Sequence, residues 1–181
     1  MGFDRWLLRT LAQHRVAWVT QVAKAAMRVG TSLMVIGLIA VLGAVYLVVT
    51  RRWRQGASVA LAVGATGAIV SVLKTIIDRP RPPRVYSIIW VNGPSMPSTH
   101  AARIAAAGAG LLLAIEWRNR RTQVVVCLAA AFSVIVIGFF LVYLGTHWPT
   151  DVLAGWAIGV AAGVAAARLS RSVGAARVRR E

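Results

Sequence analysis

Three short polar clusters carry nearly all the reactive side chains of this 181-residue chain: Lys74-Thr75-Ile76-Ile77-Asp78-Arg79-Pro80-Arg81-Pro82, Pro97-Ser98-Thr99-His100 and His147-Trp148-Pro149-Thr150-Asp151. Lys74 stands about one turn before the end of an apolar segment and Arg81 follows a proline break, so two cationic heads can converge on one anion. Either could instead snorkel to a lipid headgroup. Ser98 or Thr99 is a natural N-cap, and the unpaired N–H groups of the helix it opens can cradle an anion with His100 at the rim. Plain capping is the simpler role. Asp151 follows His147 by four residues, in the first turn of a helix opened by Pro149. Its carboxylate can accept from one imidazole nitrogen and leave the other lone pair free, which makes an oriented nucleophile or base. The same pair, with His100, could ligate a metal. The other acids, Asp4, Asp78, Glu116 and Glu181, supply no surplus carboxylates to complete such a centre.

The elements that must position these clusters are membrane helices. With 58% hydrophobic residues, 14% charged residues and a mean hydropathy of +0.68, the chain has too little polar surface to coat a soluble globule. Apolar runs at Thr31–Thr50, Ala57–Ile77, Ala101–Trp117, Thr122–Gly145 and Val152–Leu169 approach the ~20 residues that cross the hydrocarbon core. They are apolar on every face, which argues against the alternating strands of a barrel. The expected fold is an all-α integral membrane bundle of about five transmembrane helices, and by parity all three clusters open on one face. Ahead of it, Phe3, Trp6, Leu7 and Leu11 share a helical face with Asp4, Arg5 and Arg9 off it, and Trp18, Val22, Ala25 and Val29 repeat at helical spacing. One or two amphipathic helices are expected there, lying in the membrane surface or packed on the bundle. The predicted organisation is residues 1–30 as an interfacial segment, 31–169 as the transmembrane domain and 170–181 as a basic tail.

The net charge of +16 is distributed as a membrane protein distributes it, and not as a nucleic-acid surface. Arg51, Arg52 and Arg54, then Arg118, Arg120 and Arg121, then Arg168, Arg171, Arg177, Arg179 and Arg180 share the face opposite the clusters. Once the five cations from Lys74 to Arg103 are set aside as site residues, the balance is eleven against five, which predicts an extracytoplasmic site. Cys127 is alone, so no intrachain disulfide or thiolate cluster is expected. Gly155, Gly159 and Gly163 recur every fourth residue, most simply for close helix packing, otherwise as the seam of a homo-oligomer.

These motifs resemble those of the type 2 phosphatidic acid phosphatases, membrane lipid phosphate phosphatases whose pattern is Lys, six residues, Arg-Pro; then Pro-Ser-Gly-His; then Ser-Arg, five residues, His, three residues, Asp. Lys74 to Arg81-Pro82 and His147 to Asp151 match in spacing, and Pro97-Ser98-Thr99-His100 differs only in Thr99. The resemblance spans roughly Ala57 to Gly159. It implies that His147 attacks phosphorus, Asp151 holds its tautomer and His100 protonates the leaving alkoxide. Lys74, Arg81, Ser98 and the Thr99 amide would bind the non-bridging oxygens, with no metal or cofactor. The implied substrate is a lipid phosphate such as phosphatidic acid, phosphatidylglycerol phosphate or a polyprenyl phosphate. One departure stands out: the Ser-Arg of the third motif is Phe140-Leu141 here. Arg79, Arg84 or Arg103 could supply the missing cation, and Arg103 lies one turn into its helix from His100. Without compensation, the rival expectation is a non-catalytic lipid-phosphate binder or transporter on the same fold. The Ala-, Val- and Arg-rich composition suggests a bacterial inner membrane.

Overall fold

Seven α-helices account for the computed structural model, which describes residues 2–115 and 117–178: α1 (Gly2–Gln13), α2 (Ala17–Thr31), α3 (Leu33–Val49), α4 (Trp53–Ile77), α5 (Thr99–Ala114), α6 (Arg120–Tyr143) and α7 (Pro149–Val178). A 3₁₀ turn at Arg84–Tyr86 interrupts the long α4–α5 loop, and there is no strand among the described residues. Residues 179–181, the end of the basic tail, and Glu116 lie outside the described residues. Gln55–Ile77, Arg120–Tyr143 and Pro149–Ser170 are each long and apolar enough to cross a membrane. The other two expected spans are shorter: α3 has 17 residues and α5 has 16, about 25 Å at 1.5 Å per residue. Helix α5 starts at Thr99 because Ser98 caps it, and it ends before the extended Ile115.

The centre of the bundle is α4, α5 and α7, packed on small residues. Ala101, Ala102, Ala105, Ala106 and Gly110 of α5 are buried against Gly155, Gly159 and Gly163 of α7. A Cβ at Gly155 would lie 2.7 Å from the Ser98 carbonyl oxygen and one at Gly163 2.8 Å from that of Ala106, while at Gly159 it would collide with the Ala102 oxygen. The glycine stripe is therefore used within the chain. In lipid, where apolar side chains gain nothing by leaving hydrocarbon, such close backbone approach is what holds helices together. Gly159→Leu should lower stability by about 1–3 kcal/mol through overpacking, seen as an earlier thermal unfolding transition in detergent.

Helices α1 and α2 pack against the bundle. The Arg15 side chain, between them, donates from Nε and Nη2 to the Tyr143 carbonyl at 3.1 and 2.9 Å, capping the end of α6. The Tyr143 hydroxyl accepts from the Val16 N–H at 2.8 Å. The inward face of α1 differs from the one its hydrophobicity suggests. Phe3 and Trp6 are exposed, whereas Leu8 is fully buried and Asp4 is only 4% exposed. The reason lies in the partners that Asp4 finds.

Candidate active site

Four helix ends meet where the three clusters lie. Helix α4 stops at Asp78, held in the left-handed region (φ 40°) with its N–H on the Lys74 carbonyl. The loop then folds back so that the Ser95 N–H donates to the Arg79 carbonyl at 2.8 Å. Lys74 Nζ donates to the Pro94 carbonyl at 2.6 Å, and Arg81 reaches the same oxygen at 3.3 Å. Lys74 and Arg81 thus converge on one point, while Arg79 turns elsewhere. Helix α5 opens at Ser98, whose hydroxyl accepts from the Ala101 N–H at 3.5 Å and whose own N–H donates to the Asp151 carbonyl at 3.0 Å. On the other side, α6 ends in a turn through Gly145 at φ 72°, where a Cβ would lie 2.8 Å from Ser87 Cα. Only glycine satisfies both the backbone angle and that approach. Two residues later comes His147.

His147 is 4% exposed and lies between Asp151 and Arg81. Its Nδ1 is 3.5 Å from Asp151 Oδ2 and its Nε2 is 3.4 Å from Arg81 Nη1. The Nδ1 contact is longer than a formed hydrogen bond. Oδ2 already accepts the Trp148 N–H at 2.9 Å, and a small ring movement would add the imidazole to it. A proton on Nδ1 then faces the carboxylate and the Nε2 lone pair faces the cations. Arg81 is fastened by Nη1 to the Thr146 carbonyl at 2.7 Å and by Nε to Gly93 at 3.0 Å. Burial pushes the His147 pKa below the ordinary histidine value, against the opposing pull of Asp151 and aided by the charges of Arg81 and Lys74. The neutral, nucleophilic form therefore persists to lower pH. The acid limb of kcat/KM in any reaction that uses the Nε2 lone pair should fall below the ordinary ~6.5.

The largest part of the site that sequence reasoning missed is a buried ion network behind Asp151. Arg79 Nη1 donates to Asp151 Oδ1 at 2.8 Å and to the Thr150 hydroxyl at 2.6 Å, while Nη2 donates to Asp4 Oδ2 at 2.6 Å. Asp4 also accepts the Thr150 N–H at 3.1 Å and its hydroxyl at 2.6 Å, while the Arg79 guanidinium lies 5.3 Å from the Trp148 ring centroid. Burial raises the Asp4 pKa, but the hydrogen bonds from Thr150 and Arg79 outweigh it and the net direction is down. The available signal was scarcity: a chain with 21 Lys and Arg and five acids has few carboxylates to spend on solvent.

Around this centre, Thr99 and His100 begin α5, both half-buried. His100 shares a small apolar cavity with Met27, Ile104, Ile137, Phe140 and Leu141. Leu141, at the position of the family arginine, is 1% exposed there. Arg103 lies over Gly67 of α4, its Nη2 3.0 Å from where a Cβ would stand, and its side chain is exposed. Among the described residues, no three His, Cys, Asp or Glu side chains gather as a metal-binding group.

A family model described as "PAP2 superfamily" matches residues 55–174, which contain all three clusters. The chain is 28% identical over 161 residues to phosphatidylglycerophosphatase B of Bacillus subtilis (strain 168), covering 87% of this chain and 78% of that protein. Its fold is similar to the crystal structure of a transmembrane PAP2 type phosphatidylglycerolphosphate phosphatase from Bacillus subtilis, with a TM-score of 0.83 at 23% identity, covering 95% of this chain and 86% of that one. It is also similar to Aquifex aeolicus LpxE, with a TM-score of 0.72 at 21% identity, covering 93% and 96% of the two chains.

Proposed function

Since the chain belongs to the PAP2 superfamily, we propose that it is a membrane lipid phosphate phosphatase working through a phosphohistidine. The observation that carries the reading is the pose of His147, with Nε2 beside the Arg81 guanidinium at 3.4 Å and Nδ1 turned to Asp151 at 3.5 Å. A phosphomonoester between Lys74, Arg81, the Ser98 hydroxyl and the Thr99 N–H presents its phosphorus to Nε2. As the N–P bond forms, the bond to the lipid oxygen breaks and His100 gives that oxygen a proton. The imidazolium left on His147 is stabilised by Asp151. Water then attacks phosphorus, His100 takes its proton, and inorganic phosphate leaves with Nε2 restored as a lone pair. Lys74 and Arg81 carry the charge that gathers on the equatorial oxygens, so the scheme calls for no metal.

Leu141 removes one cation from this arrangement, and Arg103 is the replacement we favour, because it follows His100 by one turn on α5. The named relative supports a phosphatidylglycerol phosphate type of substrate. The arginine balance supports a site on the extracytoplasmic face of an inner membrane. The test is phosphate release by the purified chain in detergent with excess chelator, across phosphatidic acid, phosphatidylglycerol phosphate and undecaprenyl diphosphate. Release from at least one lipid supports the enzyme. Saturable binding of these lipids with no release supports the rival reading of a binder or transporter.

A further inference from the structure

A cavity of about 680 Å³ opens beside the reaction centre, between α1 and the two loops that carry Arg81 and Trp148. Its cationic lining comes from two elements: Arg5 and Arg9 on α1, and Arg79 and Arg81 after α4. Arg79 is neutralised by Asp4 and Asp151. Arg5 and Arg9 are exposed and have no hydrogen-bond or ion-pair partner among the described residues. They stand four apart on one helix, hence on one face. The carboxylate of their own helix, Asp4, is buried and occupied by Arg79 and Thr150. Unbalanced positive charge therefore faces this space. Trp6 and Trp148 line the same cavity, and the volume is within the ~300–1,000 Å³ typical of ligand pockets.

Arg81 belongs to both places, since its Nη1 lies 3.4 Å from His147 Nε2 while its side chain lines the cavity. An anion held by Arg5 and Arg9 would be a neighbour of the phosphate under attack. We propose that the cavity is a second anion subsite, holding the internal phosphodiester of a lipid whose terminal phosphomonoester lies against His147. The proposal rests on the phosphatase reading and narrows it: the preferred substrate carries two phosphates joined by a short polar linker, which the tryptophans cover. The same diester chemistry could come from a neighbouring anionic lipid, in which case the arginines only fasten α1 to the membrane.

The experiment compares phosphatidylglycerol phosphate with phosphatidic acid of the same acyl chains, in micelles of a neutral detergent. The double variant Arg5→Gln/Arg9→Gln should lose tenfold or more in kcat/KM on the two-phosphate lipid and change less than twofold on phosphatidic acid. Arg5→Lys/Arg9→Lys should keep most of the preference, which separates charge from folding. An equal change on both lipids, or none on either, overturns the subsite. So does a loss that appears only when phosphatidylglycerol is added to the micelles, because that outcome assigns the arginines to the membrane. The phosphatase reading fails by itself only if the unmodified chain hydrolyses neither lipid and releases no phosphate from undecaprenyl diphosphate either. Tryptophan fluorescence titration of the same two lipids then decides the subsite alone. Tighter binding of the two-phosphate lipid, lost in Arg5→Gln/Arg9→Gln, upholds it, and equal binding overturns it.

Discussion

His147→Gln is expected to cut phosphate release by roughly 10³–10⁶-fold, the range seen when a nucleophile that acts as one unit with its partners is removed. Glutamine is close in volume and can still donate toward Asp151, so the fold should hold. What disappears is the lone pair beside Arg81. The imidazole is 4% exposed, so bulk water cannot simply take its place at phosphorus. Lys74, Arg81 and the start of α5 remain in the variant, and lipid binding should change by only a few-fold. The measurement is a turnover assay paired with a binding titration on the same preparation. An acid-labile phosphoryl group trapped on the unmodified chain during turnover, and absent from the variant, would locate the covalent step. A variant retaining more than about a tenth of the activity would show that His147 is not the nucleophile.

Asp4→Ala should also be strongly damaging, although Asp4 is in the first turn of a helix that looks peripheral. It leaves the Arg79 Nη2 and the Thr150 N–H without their acceptor in a buried place, with side-chain exposures of only 12% and 5% for the original pair. Breaking a buried ion pair by removing one partner costs about 3–5 kcal/mol. Part of that appears as lower stability, and part as freedom for Arg79 to pull Asp151 away from His147. Turnover should fall by about 100-fold with KM nearly unchanged, and Asp4→Glu should recover part of it. A purely structural role would leave the pH profile of the surviving activity where it was. Loosening Asp151 should instead move the acid limb. Asp4 also carries a stability signature of definite sign. Its folded pKa is depressed, so its contribution is fully present above the unfolded value of ~3.9 and is lost as pH falls through the lower folded value. The stability gap between the unmodified chain and Asp4→Asn should therefore persist at neutral pH and shrink only in strong acid.

The contrast between Asp151 and Asp4 shows what the sequence makes legible. Asp151 is legible because its partner is one helical turn away and the spacing itself states the chemistry. The spans are legible because lipid demands unbroken apolar runs, and the meeting of the three clusters follows from counting those runs. Asp4 is hidden because its partners are 75 and 146 residues distant, and nothing periodic marks such a pairing. The helical-face argument even misdirects, since it assigns carboxylates outward when a buried arginine can turn one inward. Leu141 is a different case. Its departure from the family pattern is visible in the sequence, but only the fold reveals that it adds apolar wall next to His100.

The clasp of the early helices has a consequence for how the molecule is made. Arg15 bonds to a carbonyl 128 residues further on, and Asp4 to an amide 146 residues further on. During translation these groups emerge long before the last of their partners, so Asp4 and Arg15 remain only partly satisfied while the later helices are made. Asp4 can pair with Arg79 and Arg15 with the Tyr86 carbonyl earlier, but neither set of partners is complete until α6 has ended and α7 has begun. Closing so long a loop late is an entropic burden that insertion of the intervening spans has already reduced. The nascent chain therefore lacks the completed network around Asp151 while it is being inserted, and its competence as a catalyst arrives in one late step.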